Sequence, residues 1–234
     1  MSVADNVAQV RARIADAAQR SGRRSEDVTL MAVTKTFPVA PIREAYQAGI
    51  RVFGENRVQE FTGKADAVHD LSGAEWHMIG HLQTNKAVKA AELFAAVDSV
   101  DSLRLAEKLN AAARQLGKKI PILIEVNVGG EEAKSGVALG FPDLDDLLFA
   151  APQLDSLEVR GLMTIPPYTE DPQAARPYFQ SLRKLRADIA ARHLPAVGTD
   201  VLSMGMSHDF EVAIEEGSTC VRVGTAIFGD RPKK

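Results

Sequence analysis

The chain has 234 residues, of which 45% are hydrophobic and 25% are charged, which is ordinary globular composition and enough length to bury a large core. A net charge of -3 excludes a general attraction to nucleic acid or to anionic membranes. Cys220 is the only cysteine, so no internal disulfide forms, and no window approaches the roughly 18 apolar residues needed to span a bilayer. The N-terminus carries acidic residues and no long apolar run, unlike a signal peptide. We therefore expect a cytoplasmic protein with no nucleic acid and no membrane among its partners.

An amphipathic helix is predicted at the N-terminus, over residues 1–22. Its apolar positions recur with helical spacing and are Val7, Val10, Ile14 and Ala17. We expect this helix to brace the part that follows, a barrel over residues 26–230. No linker rich in Gly, Pro or Ser divides the sequence, so residues 1–234 are predicted to form a single domain.

Short apolar runs rich in β-branched residues alternate with segments of helical period over the remainder of the chain. We count about eight such runs, which are "VTLMAV", "RVFGEN", "EWHMIG", "FAAVDSV", "IPILIEVNV", "LEVRGLMTI", "DVLSMGM" and "TCVRVGTAIFG". Several are apolar on both faces, as buried parallel strands are. The pattern predicts an α/β fold, a (β/α)8 TIM barrel, with a doubly wound open sheet as the alternative.

The residues that leave the predicted strands are unusually polar. They are Lys35, residues 55–57, 80–81, Asn127 and residues 163–164, 203–207 and 222–225. Either architecture gathers its ligand chemistry at these carboxyl ends. Glycines at the last two strand ends allow a close approach of the backbone, and "GTAIFG" can present N–H groups to an anion. A phosphorylated ligand is therefore favoured.

Lys35 ends the first predicted strand, in "LMAVTKTFP". A lysine at a barrel rim can simply extend its stem over the apolar surface and keep its ammonium in water. Beside a phosphate cradle and a strand-borne arginine, however, the amine would be desolvated and close to a like charge, and both effects lower its pKa and favour nucleophilic attack. Pyridoxal 5′-phosphate (PLP) needs an aldimine lysine, a phosphate cup and a partner for its pyridine nitrogen. Lys35, the turn of Gly224 and Thr225, and Arg222 match these requirements.

Several stretches in order carry a family resemblance: "AVTKTFP", "FGENRVQE", "WHMIGHLQTNK", "VNVGGEEAKSGV", "GLMTIPP" and "LSMGMSHDFEVAIEEGSTCVRVGTAIFG". Together, over about residues 5 to 230, they resemble the PLP homeostasis protein family, a fold-type III group similar to the N-terminal barrel domain of alanine racemase. The resemblance implies PLP bound as an internal aldimine on Lys35, with Arg222 facing the pyridine nitrogen. It implies a phosphate site formed by Gly224, Thr225 and either Ser203 or Ser207. It also places Asn56, Ile79 and His81 beside the cofactor ring, with Met204 as a further contact.

Several of these residues have a structural alternative. His81 could be a hydrogen-bonded histidine that holds its loop, and Met204 could fill the core. Asn127 and Glu125 could satisfy hydrogen bonds at the barrel mouth. Lys134, in the Gly-rich "GGEEAKSG", is a second candidate amine, for solvation of the loop or transient capture of the ligand.

The same residues predict weak catalysis. An arginine does not give up its proton, so Arg222 would leave the pyridine nitrogen unprotonated and the ring a poor electron sink. The β-domain that supplies the second base of alanine racemases is expected to be absent, because the sequence ends with "FGDRPKK". We therefore expect a monomeric PLP carrier of vitamin B6 homeostasis, with no robust activity, whose partners include PLP, apo PLP-dependent enzymes and free amino acids. The alternatives are an amino-acid racemase or related lyase, and a barrel that binds another phosphorylated metabolite.

Overall fold

The apolar runs form parallel β-strands in the computed structural model, which describes residues 1–131, 135–138 and 142–230. The strands of these residues are β1 (Thr29–Val33), β2 (Val52–Glu55), β3 (Glu75–Met78), β4 (Ala96–Val100), β5 (Ile120–Asn127), β6 (Val137–Ala138), β7 (Leu157–Met163), β8 (Val197–Met206) and β9 (Cys220–Val223). They pair in the order β4-β3-β2-β1-β9-β8-β7-β5, and β4 also pairs with β5, so these strands close into a barrel. The short β6 pairs with the carboxyl end of β5. The predicted (β/α)8 barrel is confirmed.

The segments between the strands form helices around the barrel. Those of the described residues are α1 (Val3–Arg20), α2 (Val39–Gln47), α3 (Val58–Ala65), α4 (Ala87–Leu93), α5 (Leu103–Gln115), α6 (Pro142–Ala150), α7 (Arg176–Ala191), α8 (Phe210–Glu215) and α9 (Thr225–Phe228). Single 3-10 turns lie at Ser25–Asp27, Thr84–Lys86, Ala151–Gln153 and Pro172–Ala175. None of the helices in the described part of the chain combines the length and the apolar character needed to cross a membrane.

The N-terminal helix α1 packs against the helices that follow β8 and β9. Its buried residues are Val7, Val10, Ile14, Ala17 and Ala18, which form the predicted apolar stripe. The Asn6 amide donates to the Ile227 carbonyl at 2.8 Å, and Arg13 pairs with Glu211 at 2.8 Å. The apolar stripe buries the helix, and these polar contacts orient it against α8 and α9.

Successive side chains along each strand point to opposite faces of the sheet, and the buried apolar ones form two separate clusters. The main core lies between the sheet and the helices, and a smaller cluster of Met31, Val33, Ile79 and Cys220 packs separately from it. In β9, Val221 belongs to the main core, whereas Cys220 belongs to the small cluster. Because successive strand residues point to opposite faces, Arg222 lies on the same face as Cys220, in the barrel interior.

The last apolar run, "TCVRVGTAIFG", forms a strand followed by a short helix that the hydropathy pattern did not predict. β9 ends at Val223, and the run "TAIF" that follows forms α9. The Ile227 and Phe228 N–H groups both donate to the Gly224 carbonyl at 2.9 Å, so the chain turns immediately after the strand. A continuous apolar run does not distinguish a strand from a strand followed by one helical turn.

Candidate functional site

Lys35 follows the carboxyl end of β1, next to the end of β9. β1 ends at Val33, two residues before the predicted end, and Lys35 is half-buried in the turn that follows. A Cβ built on Gly224 would lie 3.6 Å from the Val33 Cβ, so the two strand ends are neighbours. Beyond Lys35, the Phe37 ring packs on the Phe228 ring with centroids 4.9 Å apart. The turn that carries Lys35 therefore lies against α9.

Arg222 lies inside the barrel and is only 3% exposed. Its Nη1 donates to the Ser203 hydroxyl and its Nη2 to the Thr164 carbonyl, both at 2.7 Å, which fixes the guanidinium plane across β7, β8 and β9. Burial lowers the pKa of the Arg222 guanidinium, and nearby anionic groups oppose that shift. The carboxylates among them are Asp98, Glu125 and Asp209. The charge is therefore held rigidly and is partly neutralised by the protein.

Ser207 lies beside the turn that opens α9. Its hydroxyl accepts from the Gly224 N–H at 3.2 Å and from the Ala226 N–H at 3.3 Å. Thr225, between these two donors, is exposed. A Cβ added to Gly224 would make ordinary van der Waals contact with Val33, at 3.5 Å from its carbonyl oxygen and 3.6 Å from its Cβ, without a clash. The structure thus brings Ser207, Gly224 and Thr225 together, whereas Ser203 is fully buried beneath them with Arg222.

Two features hold the loop between β8 and α8 that carries Ser207. Gly205 has φ of 95°, and a Cβ there would lie 2.6 Å from the Ala213 Cβ and 2.9 Å from the Phe210 Cα. Only glycine allows this close approach of strand and helix. The Asp209 carboxylate accepts from the Met206 N–H at 2.6 Å, and burial raises the pKa of this carboxyl.

Asn56, Ile79 and His81 follow β2 and β3 and form the opposite side of the mouth. Asn56 and His81 both line a cavity of about 400 Å³. A Cβ on Gly80 would lie 2.5 Å from the Asn56 carbonyl oxygen, so this glycine is needed for the two loops to meet. Ile79 is buried in the small core cluster, and His81 is exposed, with Nδ1 3.0 Å from the Asp101 carboxylate. This contact agrees with the alternative in which His81 is a hydrogen-bonded histidine that holds its loop.

Two further residues that the sequence singled out, Met204 and Asn127, make contacts apart from this group. Met204 is fully buried in the main core, because it alternates with Ser203 along β8 and so points to the opposite face of the sheet. The Asn127 amide donates to the Glu131 carbonyl at 2.8 Å and holds the loop after β5. Lys134 lies outside the described residues.

Glu125 is a titratable residue of the barrel interior whose importance the sequence patterns did not reveal. It is 5% exposed, and its Oε2 has no hydrogen-bond partner among the described residues. Burial raises its pKa to about 7, and Asp101 adds to that shift, while Arg222 and His81 oppose it. The signal in the sequence was a glutamate within "ILIEVNV", where apolar neighbours on both sides indicated a fully buried strand.

A larger cavity opens at the amino ends of the strands. It has a volume of about 570 Å³ and is lined by His77, Asp98 and Cys220 among others. His77 Nδ1 lies 3.1 Å from both Asp98 oxygens, so these groups satisfy each other. Barrels bind their ligands at the other end, where Lys35 and Arg222 lie. The carboxyl end is therefore the candidate site.

The hydrogen-bond donors at the carboxyl end of the barrel fit a phosphorylated aldehyde. The Gly224 and Ala226 N–H groups, which converge on the Ser207 hydroxyl, and the hydroxyls of Ser207 and Thr225 are neutral donors of the type that cradles a phosphate. Thr225 is exposed, and Gly224 and Ala226 are partly exposed, so these groups lie at the surface of the barrel mouth. The guanidinium of Arg222 and the amine of Lys35 belong to the adjoining strand β9 and to the turn after β1. This donor set is compatible with PLP.

The chain matches a known domain family and known barrel structures. The model described as alanine racemase, N-terminal domain, matches residues 6–232. The alanine racemase of Streptomyces lavendulae superposes with a TM-score of 0.70 over 98% of this chain and 58% of that chain, at 21% identity, which shows the fold alone. PipY of Synechococcus elongatus, solved with PLP bound, superposes with a TM-score of 0.81 over 97% of this chain and 100% of that chain, at 37% identity.

A curated relative extends the likeness over the whole chain. The protein of Aquifex aeolicus named pyridoxal phosphate homeostasis protein is 46% identical over 231 residues, which cover 99% of this chain and 99% of that protein. The one from Pseudomonas aeruginosa with the same name is 46% identical over 230 residues, 98% of this chain and 96% of that protein. Because the family model matches residues 6–232 and the curated relatives are 46% identical over almost the whole chain, the chain belongs to the pyridoxal phosphate homeostasis protein family.

Proposed function

We propose that this protein binds PLP at the carboxyl end of its barrel, holds it covalently through Lys35 and serves intracellular vitamin B6 homeostasis without robust catalysis. The observation that carries the proposal is the placement of a buried arginine and an open turn of N–H donors beside the strand that leads to Lys35. The relatives' names and the PLP-bound PipY structure support it. We also propose a cytoplasmic, monomeric protein that exchanges PLP with apo enzymes and meets free amino acids there.

Each residue has a distinct part in this proposal. PLP supplies an aldehyde that condenses with amines and a phosphate that anchors the ring. Ser207, Gly224 and Thr225 hold the phosphate, and Arg222 faces the pyridine nitrogen. Lys35 supplies the amine. Asn56, Ile79 and His81 border the ring from the β2 and β3 side.

The environment of Arg222 favours holding a cofactor over using it as an electron sink. A guanidinium keeps its proton in a protein, so it donates to the pyridine nitrogen instead of protonating it. Its bonds to Ser203 and to the Thr164 carbonyl fix that donor in place. A carboxylate at this position would act in the opposite way and strengthen the electron sink. We therefore expect proton abstraction from a bound amino acid to be slow.

Removing the Ser207 hydroxyl is expected to weaken PLP retention about 10- to 100-fold, because a hydrogen bond to a charged acceptor contributes about 1.5–3 kcal/mol. Thr225→Val is expected to act in the same direction. Equilibrium dialysis of the apo variants against PLP measures the effect. Ser181→Ala is the control, since Ser181 is an exposed serine of α7 whose hydroxyl donates to the Pro177 carbonyl of the same helix. Unchanged affinity in Ser207→Ala with a loss in Ser203→Ala would transfer the phosphate site to Ser203.

Incubation of the PLP-loaded protein with alanine in deuterated water distinguishes a PLP carrier from an amino-acid racemase. An amino acid is expected to displace Lys35 and shift the absorption spectrum, with negligible loss of the α-proton signal over hours. Tyr168 is the tyrosine nearest to a predicted strand end and so the candidate for a second base. Its side chain is 77% exposed, and its ring is tilted against the His208 ring with centroids 5.6 Å apart, so Tyr168→Phe is expected to leave the result unchanged. Exchange or racemisation at about 1–10³ turnovers per second would establish a racemase instead. A protein that takes up phosphate compounds but shows no spectral response to PLP would indicate another phosphorylated ligand.

A further inference from the structure

The turn that carries Lys35 is held by a buried ion cluster that belongs to β2 and α3. The cluster consists of Glu55, Glu60 and Lys64, and it contacts the residues on both sides of Lys35. Glu55 ends β2, and Glu60 and Lys64 lie one turn apart on α3. The side chain of Glu55 is 0% exposed, that of Lys64 is 12% exposed and that of Glu60 is 25% exposed, so Glu60 lies at the solvent side of an otherwise buried cluster.

The Lys64 ammonium links the two carboxylates of the cluster to the backbone at the end of β1. Its Nζ donates to the Thr34 carbonyl at 3.0 Å, to Glu55 Oε1 at 3.0 Å and to Glu60 Oε1 at 2.8 Å. Glu55 Oε1 also accepts from the Thr34 hydroxyl at 2.6 Å. Because an ammonium has three donors and this one has three acceptors, its position is determined in all directions. Residue 34 is thereby bonded through both its carbonyl and its side chain.

Residue 36 is held by the same cluster. Its N–H donates to Glu60 Oε1, the oxygen that also accepts from Lys64. Thr36 has φ of 69°, a left-handed conformation that is a clear outlier for a β-branched residue. Such a conformation persists only where the surroundings impose it. The Glu60 carboxylate, itself held by Lys64, supplies that constraint.

We infer that Lys64, acting through Glu55 and Glu60, is a positioning residue for the Lys35 amine. By fixing the backbone at residues 34 and 36, the cluster sets the position and direction from which the Lys35 side chain extends relative to the phosphate turn. This inference rests on the proposed function. In the step that it assists, the neutral amine nitrogen bonds to the aldehyde carbon of PLP, and the aldehyde oxygen leaves as water with the two amine protons.

The cluster matters because covalent capture of PLP depends on the geometry between Lys35 and the phosphate site. The Gly224 turn anchors the phosphate on one strand, and Lys35 must meet the aldehyde from the adjoining strand. A misplacement of about 1 Å between reacting groups costs on the order of 10²-fold in rate. At an unrestrained strand end the backbone of a lysine would add its own motion to that of the side chain, whereas the bonds at residues 34 and 36 remove the backbone part of this motion.

The test compares Lys64→Met and Glu60→Gln with a matched exposed pair, Lys89→Met and Glu92→Gln, on α4. Two ligands are used: PLP, and 4-deoxypyridoxine 5′-phosphate, which keeps the ring and the phosphate but has no aldehyde. We expect the rate of covalent PLP capture to fall about 10- to 100-fold in Lys64→Met and less in Glu60→Gln. Affinity for the deoxy analogue is expected to remain within about twofold of wild type, since the cluster does not contact the phosphate turn.

A third measurement needs no ligand. Hydrogen exchange of the Thr36 amide in the apo protein is expected to become at least about tenfold faster in both cluster variants, because its acceptor is lost or weakened. Should Lys64→Met not fold, Glu60→Gln, at a partly exposed side chain, decides the question. Unchanged capture and unchanged Thr36 exchange, or an equal loss of PLP and analogue binding, would overturn the positioning role. A wild-type protein that binds neither ligand would instead refute the proposed function.

Discussion

Lys35→Ala is expected to abolish covalent attachment of PLP. Borohydride reduction of the loaded wild-type protein should leave the cofactor bound through denaturation, on the peptide that contains Lys35. The reason is the position of this lysine, half-buried in the turn after β1 and next to the Gly224 turn. Mass spectrometry of the digested, reduced protein measures the adduct. The variant keeps Ser207 and Thr225, the residues proposed to hold the phosphate, so dialysis should still detect weaker, noncovalent binding.

Lys89→Ala is the control for this experiment, because Lys89 is an exposed lysine on α4. Its adduct should be indistinguishable from that of wild type. Lys64 provides a second, internal control, since its ammonium already has three acceptors. A reduced adduct on Lys64 or Lys134, or an adduct that persists in Lys35→Ala, would show that another amine holds the cofactor.

Glu125→Gln is expected to stabilise the apo protein at alkaline pH. Burial raises the pKa of Glu125 from 4.5 to about 7, which means that folding disfavours the ionised carboxylate. The stability that the protonated carboxyl contributes is complete below the unfolded pKa of 4.5 and is lost as the pH rises through about 7. A glutamine resembles the protonated form at every pH. The variant should therefore gain about 3 kcal/mol in free energy of unfolding at about pH 8.5, and little at about pH 4.5.

Denaturant unfolding of the apo protein at both pH values measures this difference. Glu107→Gln, on the exposed side of α5, is the control and should show no pH-dependent gain. Arg222 partly offsets the cost of the Glu125 charge, and Asp101 increases it, so both interactions are included in the expected value. A Glu125→Gln variant that is less stable than wild type at alkaline pH would show that the carboxylate is needed to balance Arg222.

Much of the architecture could be predicted from local patterns. Apolar runs such as "IPILIEVNV" became β5, and the helical spacing of Val7, Val10 and Ile14 became the buried stripe of α1. These predictions succeed because alternation and helical period depend on neighbours in the chain. The run "TCVRVGTAIFG" was the exception, since hydropathy does not reveal where Gly224 ends the strand and α9 begins.

The sequence by itself determined the class of the protein and its chemical inventory. The alternation of strands and helices implied a barrel, and a barrel brings the polar strand ends to one mouth whatever the exact register. Lys35, Arg222 and the Gly224 turn could therefore be selected from their positions at the predicted strand ends. The ordered motifs added the cofactor and the family.

The tertiary structure alone decided which of these groups lie together. Ser203 and Ser207 were equally plausible along the chain, but the pairing of β8 with β9 buries Ser203 against Arg222 and brings Ser207 to the Gly224 and Ala226 N–H groups. The bond from Lys64 to the Thr34 carbonyl joins α3 to the end of β1, 30 residues apart in the chain. Contacts of this kind depend on strand pairing and helix packing, which no local pattern specifies. Burial, and with it the raised pKa of Glu125, is likewise a property of the closed barrel and not of the residue.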